Sequence, residues 1–117
     1  LDFSEAILRA RVTDSLDTDL NIFFGSSMAK NVEIKHLKMF IYLESAVTGR
    51  QIVGIYNTSY GLKLNNCYIE VVSENQSNLV GVFNNGNLDT HMETRADNLV
   101  IANSHIKVQV VQLKIKN

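Results

Sequence analysis

Asp89, His91 and Glu93 stand at alternate positions of one polar stretch, with Arg95 and Asp97 beyond them. On extended backbone, alternate side chains point the same way, so a carboxylate, an imidazole and a second carboxylate would converge. Such a set could ligate a divalent cation, or share the acid and base roles of a proton transfer. Nothing in the local pattern holds residues 85–97 extended, and a polar loop in water is the competing reading. A second acidic stretch, Asp14-Ser-Leu-Asp17-Thr-Asp19-Leu-Asn21, resembles the opening of a calcium loop with alternating oxygen ligands. It lacks the glycine turn and the distal bidentate Glu that such a loop requires, which favours a solvated turn. No Ser-His-Asp order, glycine-rich phosphate loop or cysteine-based metal spacing occurs. Three scattered histidines and one cysteine do not make a zinc site, so no metal or cofactor is expected.

The chain of 117 residues is 45% hydrophobic, enough for one domain with a core. Twelve acidic and eleven basic residues leave a net charge of −1. That balance gives no basic footprint for a nucleic-acid partner, and no apolar run reaches the roughly 20 residues of a membrane helix. The chain begins at Leu1 and shows no signal peptide, so a processed product or a piece of a longer protein is expected. The lone Cys67 rules out an internal disulfide framework and reads as a small buried hydrophobe. Proline is absent and asparagine occurs thirteen times. Asparagine tolerates left-handed backbone and serves corners, while missing proline suits a chain whose N–H groups are spent in ladders.

The elements that would position any site are repeats. Val32-Glu-Ile34-Lys-His-Leu37-Lys-Met39-Phe-Ile41 matches Leu62-Lys-Leu64-Asn-Asn-Cys67-Tyr-Ile69-Glu-Val71, and both match Leu99-Val-Ile101-Ala-Asn-Ser104-His-Ile106-Lys-Val108. Period-2 alternation makes each a strand pair with one apolar face, broken once at a corner held by His36, Asn66 or Asn103. A second block follows, Val53-Gly-Ile-Tyr-Asn57 and then Val80-Gly-Val-Phe-Asn84, with Val111-Gln-Leu-Lys-Ile115 in that role at the end. Equivalent positions lie 30 and 37 residues apart, and the longer spacing carries the 85–97 insertion. One repeat cannot bury its apolar face alone, whereas stacked repeats align like residues through a shared core.

With its aligned apolar slots, asparagine corners and G-[IV]-[YF]-N blocks, the stretch 31–117 resembles the right-handed parallel β-helix families. These include pectate-lyase-like enzymes, phage tailspikes and bacterial secreted or surface proteins. The resemblance implies an all-β solenoid of about three to four coils, near 31–60, 61–97 and 98–117. Residues 1–30 fit the repeat poorly. Phe3, Ala6, Ile7 and Ala10 have the spacing of a capping helix, while Leu8, Ala10 and Val12 read equally as a strand of an incomplete first coil.

Stacking predicts outward columns Lys38/Tyr68/His105 and Phe40/Glu70/Lys107, with Tyr42/Val72/Gln109 beside them. The resemblance implies a groove along such a face that takes an extended polysaccharide. Lyase-type relatives need clustered calcium carboxylates and a basic residue, and hydrolase-type relatives need paired acids. Only Glu70 lies in these columns, facing Lys107, so catalysis is not favoured. Phe40, Tyr42, Tyr68 and His105 beside lysine suit sugar rings, or equally a protein interface. The expected function is a non-enzymatic binding or scaffold module of a secreted or surface protein. Its expected partners are an extended glycan or further copies joined through the ends, without nucleic acid or membrane insertion. A polysaccharide-processing enzyme is the alternative, with Asp89, His91 and Glu93 as binding-site candidates.

Overall fold

The computed structural model describes residues 1–4, 6–13, 20–25, 29–44, 51–74, 78–85 and 98–110. These residues form ten strands and, among themselves, no helix. The strands are β1 (Ile7–Val12), β2 (Leu20–Gly25), β3 (Glu33–Lys35), β4 (Lys38–Leu43) and β5 (Gln51–Asn57). After them come β6 (Lys63–Asn65), β7 (Tyr68–Ser73), β8 (Asn78–Asn84), β9 (Val100–Ala102) and β10 (His105–Val110). Three all-parallel sheets result, ordered β1-β4-β7-β10, β2-β5-β8 and β3-β6-β9. Each strand therefore pairs with its equivalent one repeat away, never with its neighbour in sequence. We call the strands at one level of the three sheets a rung; β3, β4 and β5 make one, and β6, β7 and β8 the next.

The register follows the repeat. Ile34 pairs with Leu64 and Leu64 with Ile101, while Met39, Ile69 and Ile106 form one column and Ile41, Val71 and Val108 another. In the two middle rungs these inward residues are fully buried, together with Leu37, Leu43, Ile52 and Ile55. Cys67 fills its core slot as a free thiol, its S–H directed at the carbonyls of Ile34 (3.4 Å) and Asn65 (3.6 Å).

Corners are made by left-handed backbone. His36, Asn66 and Asn103 carry φ of 57°, 54° and 52°, which turns β3 into β4, β6 into β7 and β9 into β10. A second set, unread in the sequence, precedes the short strands: Asn31 and Asn98 at 53° and 58°, with Gly61 at 71° in the equivalent place. A Cβ on Gly61 would also collide with the Asn31 side-chain oxygen.

The G-[IV]-[YF]-N block has three separate causes. A Cβ on Gly54 would stand 2.6 Å from the Gly81 carbonyl and 3.2 Å from Ile69 Cγ2, and one on Gly81 would run into Ile106 Cγ2. The glycines thus let an isoleucine of the facing sheet approach the backbone. Tyr56 and Phe83 stack at 5.2 Å with their planes 3° apart. Buried Asn57 donates to Ser59 O (3.1 Å) and Asn84 Oδ1 (2.8 Å) and accepts from Ser59 N (3.0 Å) and Ser59 Oγ (2.6 Å). All four of its hydrogen-bonding positions are used, as a buried amide requires.

The N-terminal segment corrects the expected capping helix. Residues 7–12 are strand β1, paired along its whole length with β4, so Leu8, Ala10 and Val12 join the columns of Met39, Ile41 and Leu43. Leu1–Phe3 lie against β3 through Phe3 N–Lys35 O (2.9 Å) and Lys35 N–Leu1 O (2.8 Å), with Asp2 bridging Lys35. A free β4 edge offers a row of unpaired N–H and C=O groups, and a six-residue ladder satisfies them where a helix laid across it would not.

Candidate functional site

The outer face of the four-stranded sheet carries most of the residues expected to bind. Parallel pairing stacks Ile7, Lys38, Tyr68 and His105 in one column, Arg9, Phe40, Glu70 and Lys107 in the next, and Arg11, Tyr42, Val72 and Gln109 in a third. Strands lie about 4.8 Å apart, so side chains in one column are forced into contact. Tyr68 and His105 stack at 5.3 Å with planes 9° apart, and Phe40 meets Tyr68 at 5.4 Å, tilted by 38°. The Arg9 guanidinium lies 5.1 Å from the Phe40 ring centre, and that of Arg11 5.9 Å from Tyr42.

This geometry decides what the aromatics can offer. Tyr68 and His105 pack face against face up the stack, Phe40 meets Tyr68 at a tilt from the neighbouring column, and Arg9 covers Phe40. Ring faces are spent on one another, and a ligand on the sheet meets mainly edges, hydroxyls and charged tips. Phe40, Tyr42 and Tyr68 are accordingly half-buried and His105 is exposed.

The polar groups are tied into the same face. Glu70 accepts from the Tyr68 hydroxyl at 3.2 Å and sits 3.7 Å from the Lys107 ammonium. The Tyr42 hydroxyl donates to Glu74, and Arg11 pairs with Glu44. Desolvation, then the charge of Glu70, raises the Tyr68 phenol above its ordinary value; the hydrogen bond to Glu74 does the same for Tyr42. Arg9, Arg11, Lys38 and Lys107 stand in these columns with the carboxylate Glu70, and Glu44 and Glu74 adjoin them at Arg11 and Tyr42, so the face carries charges of both signs. The sequence columns placed Lys38 and Lys107 here but missed Arg9 and Arg11, because residues 1–30 stayed open between a capping helix and a strand of an incomplete first coil and were not aligned with the repeat. The Leu8, Ala10, Val12 alternation was the signal that could have found them.

Asp89, His91 and Glu93 lie outside the described residues. Among those described, no three His, Cys, Asp or Glu side chains gather closely enough to hold a metal ion. One other constellation assembles at the N-terminal strap: His36 Nδ1 is 3.1 Å from Asp2 Oδ1 and 3.3 Å from Ser4 Oγ. Ser4 also donates to Asp2 from its hydroxyl and from its backbone N–H (3.0 Å). The Ser4 contacts, followed by His36, hold the Asp2 carboxyl down at about 2. A nucleophile relay needs the orienting carboxylate and the serine on opposite ring nitrogens. Both use Nδ1 here, so the trio is a clasp that pins the strap to the corner.

No family model, curated protein or solved structure matches the chain. The functional reading therefore rests on its own columns and contacts.

Proposed function

We propose that the chain is a short right-handed parallel β-helix serving as a non-enzymatic binding and scaffold module of a secreted or surface protein. Its outer sheet face would take an extended glycan. The observation that carries this reading is the set of unbroken outward columns, which put at least one cationic or hydroxyl group on every strand along the stack. That spacing of about 4.8 Å is close to the advance of one sugar residue in an extended glycan. A glycan lying along the stack would meet Lys38 on β4, the Tyr68 hydroxyl on β7, and Lys107 and Gln109 on β10, held by hydrogen bonds and ring edges more than by stacking. The register of the three sheets supports the β-helix, and the resemblance of residues 31–117 supports the extracellular setting. Against the enzyme alternative stands Glu70, whose Oε1 is engaged by both Tyr68 and Lys107 and which has no second acid in its columns.

A glycan array probed with the purified chain tests the binding. We expect one class of extended glycan to be retained, and Tyr68→Ala combined with Lys107→Ala to abolish retention while the circular-dichroism spectrum is unchanged. An array on which nothing binds, or binding that survives the double substitution, rejects the face as the site.

A further inference from the structure

We propose that the chain stacks head to tail on a second copy of itself, the β10 edge of one molecule receiving the β1 edge of the next. This rests on the two ends of the stack and stands whether or not the outer face binds a ligand. β1 and β10 are opposite edges of one all-parallel sheet, and no described strand pairs with the far side of either. Because the strands are parallel, a copy displaced along the stack brings β1 beside β10 in the orientation and six-residue register that β4 and β7 already use.

The side chains at the two edges fit one another. The inward residues of β1 are Leu8, Ala10 and Val12; those of β10 are Ile106, Val108 and Val110, in the same three columns. In the middle of the sheet these columns are sealed, whereas Leu8 is 39% exposed, Ile106 36%, Val108 44% and Val110 42%. Docking sets Ile106 on Leu8, the small Ala10 against Val108, and Val12 against Val110. Beside Leu8 the N-terminal edge is recessed, with an apolar cavity of about 160 Å³ lined by Phe3, Ala6, Ile7, Leu8, Phe23 and Leu37. Ile106 is the side chain that docking brings to its rim. The short sheet repeats the match: Ile101, 43% exposed, ends the column in which Leu1 begins, one residue before the Asp2–Lys35 pairing.

Two outward details point the same way. Ile7 is an apolar, 53% exposed residue heading a column that continues Lys38, Tyr68, His105. His105 has one ring face on Tyr68 and turns the other toward the β10 edge. The docked copy lays Ile7 on that second face, an aromatic–β-branched cross-strand pair. Lys107 and Arg9 of the next copy would share a column, yet Lys107 leans back to Glu70 and Arg9 to Phe40, each within its own molecule. Their like charges therefore turn away from the junction. A contact between two different surfaces related by translation does not close, so the product is a linear assembly.

Sedimentation velocity across a concentration series, on the wild-type chain and on end-blocked variants, tests this. Val108→Lys blocks the β10 end, and Ile7→Lys blocks the β1 end from an outward, 53% exposed position. Wild type should show a mass that keeps rising with concentration, each variant alone should stay monomeric, and a mixture of the two should form heterodimers and nothing larger. Matching thermal melts establish that both variants fold; if Val108→Lys does not, Val110→Pro is used instead, because His105 N is bonded to Cys67 O and the alternating N–H groups of 106, 108 and 110 therefore face the free edge. A wild-type chain that remains monomeric at its solubility limit overturns the proposal. So do folded single variants that still associate, or a mixture that does not.

Discussion

Met39 and Ile69 occupy the same column as Leu8 and Ile106, face the same interior and sit in the same register, yet the first pair is sealed and the second pair is more than a third exposed. The difference is a neighbour. Among the described residues, a middle rung has a rung on each side of it and an end rung has one. Burial in this fold belongs to the stack and not to the residue, so equal side chains should have unequal energetic weight. Ile69→Ala should cost about 2–5 kcal/mol, the range for deleting a sealed core side chain. Ile106→Ala should cost under half of that, since part of its side chain already meets water. Urea denaturation of both variants gives the ratio directly, and equal losses would break the comparison.

The glycines sharpen it. Gly54 faces Ile69 with the Gly81 carbonyl at its back, so a methyl there meets backbone that cannot swing aside. Gly81 faces Ile106, an end-rung side chain with open space around it. Overpacking a filled interior costs about 1–3 kcal/mol. Gly54→Ala should fall in that range and Gly81→Ala below it, because Ile106 can turn outward. A Gly81→Ala variant less stable than Gly54→Ala would mean that the last rung is as tightly held as the middle ones.

Corner residues supply a cost that should ignore position. Asn66 in a middle rung and Asn103 in the last both hold left-handed backbone, at φ of 54° and 52°. Any other L-residue with a Cβ pays about 1–2 kcal/mol there, a local term that no adjacent rung relieves. Asn66→Ala and Asn103→Ala should therefore lose similar stability, near 1 kcal/mol, in the same denaturation assay. A large gap between them would show that the asparagine amides, not the backbone, do the holding.

What the sequence disclosed divides along the same line between local and shared causes. The apolar columns and the His36, Asn66, Asn103 corners could be read because each repeat states them within ten residues, and three copies fix the alignment. The Asn31, Gly61, Asn98 corner keeps the same 30 and 37 spacing, but it changes residue type in the middle and passed unread. Strand β1 was ambiguous because six residues satisfy a helical and a strand period about equally, and the β4 edge that decides between them is invisible in the chain. The reason for Gly54 and Gly81 lies across the interior, in Ile69 and Ile106 of another sheet, where no local pattern reaches. The outward columns were aligned correctly, but their stacked rings change the chemistry expected of them, since faces that meet each other are not offered to a sugar.

The smallest effect belongs to the first rung, whose strap is held by polar contacts in water. Asp2 titrates at about 2, below its ordinary 3.8, because Ser4 and then His36 favour the carboxylate. A carboxyl lowered in the folded state favours folding above the unfolded value and loses that contribution as pH falls toward the folded one. The clasp should thus be intact at neutral pH and open between about pH 4 and 2, freeing Leu1–Ser4 while β4 and β7 keep their ladder. Amide exchange read by NMR should show the Phe3 and Lys35 N–H groups losing protection in that window, with those of Ile41 and Val71 unchanged. Asp2→Asn should release the same two groups at neutral pH. If the middle rungs opened together with the strap, the ends and the centre would be one cooperative unit, and their unequal burial would carry no unequal stability.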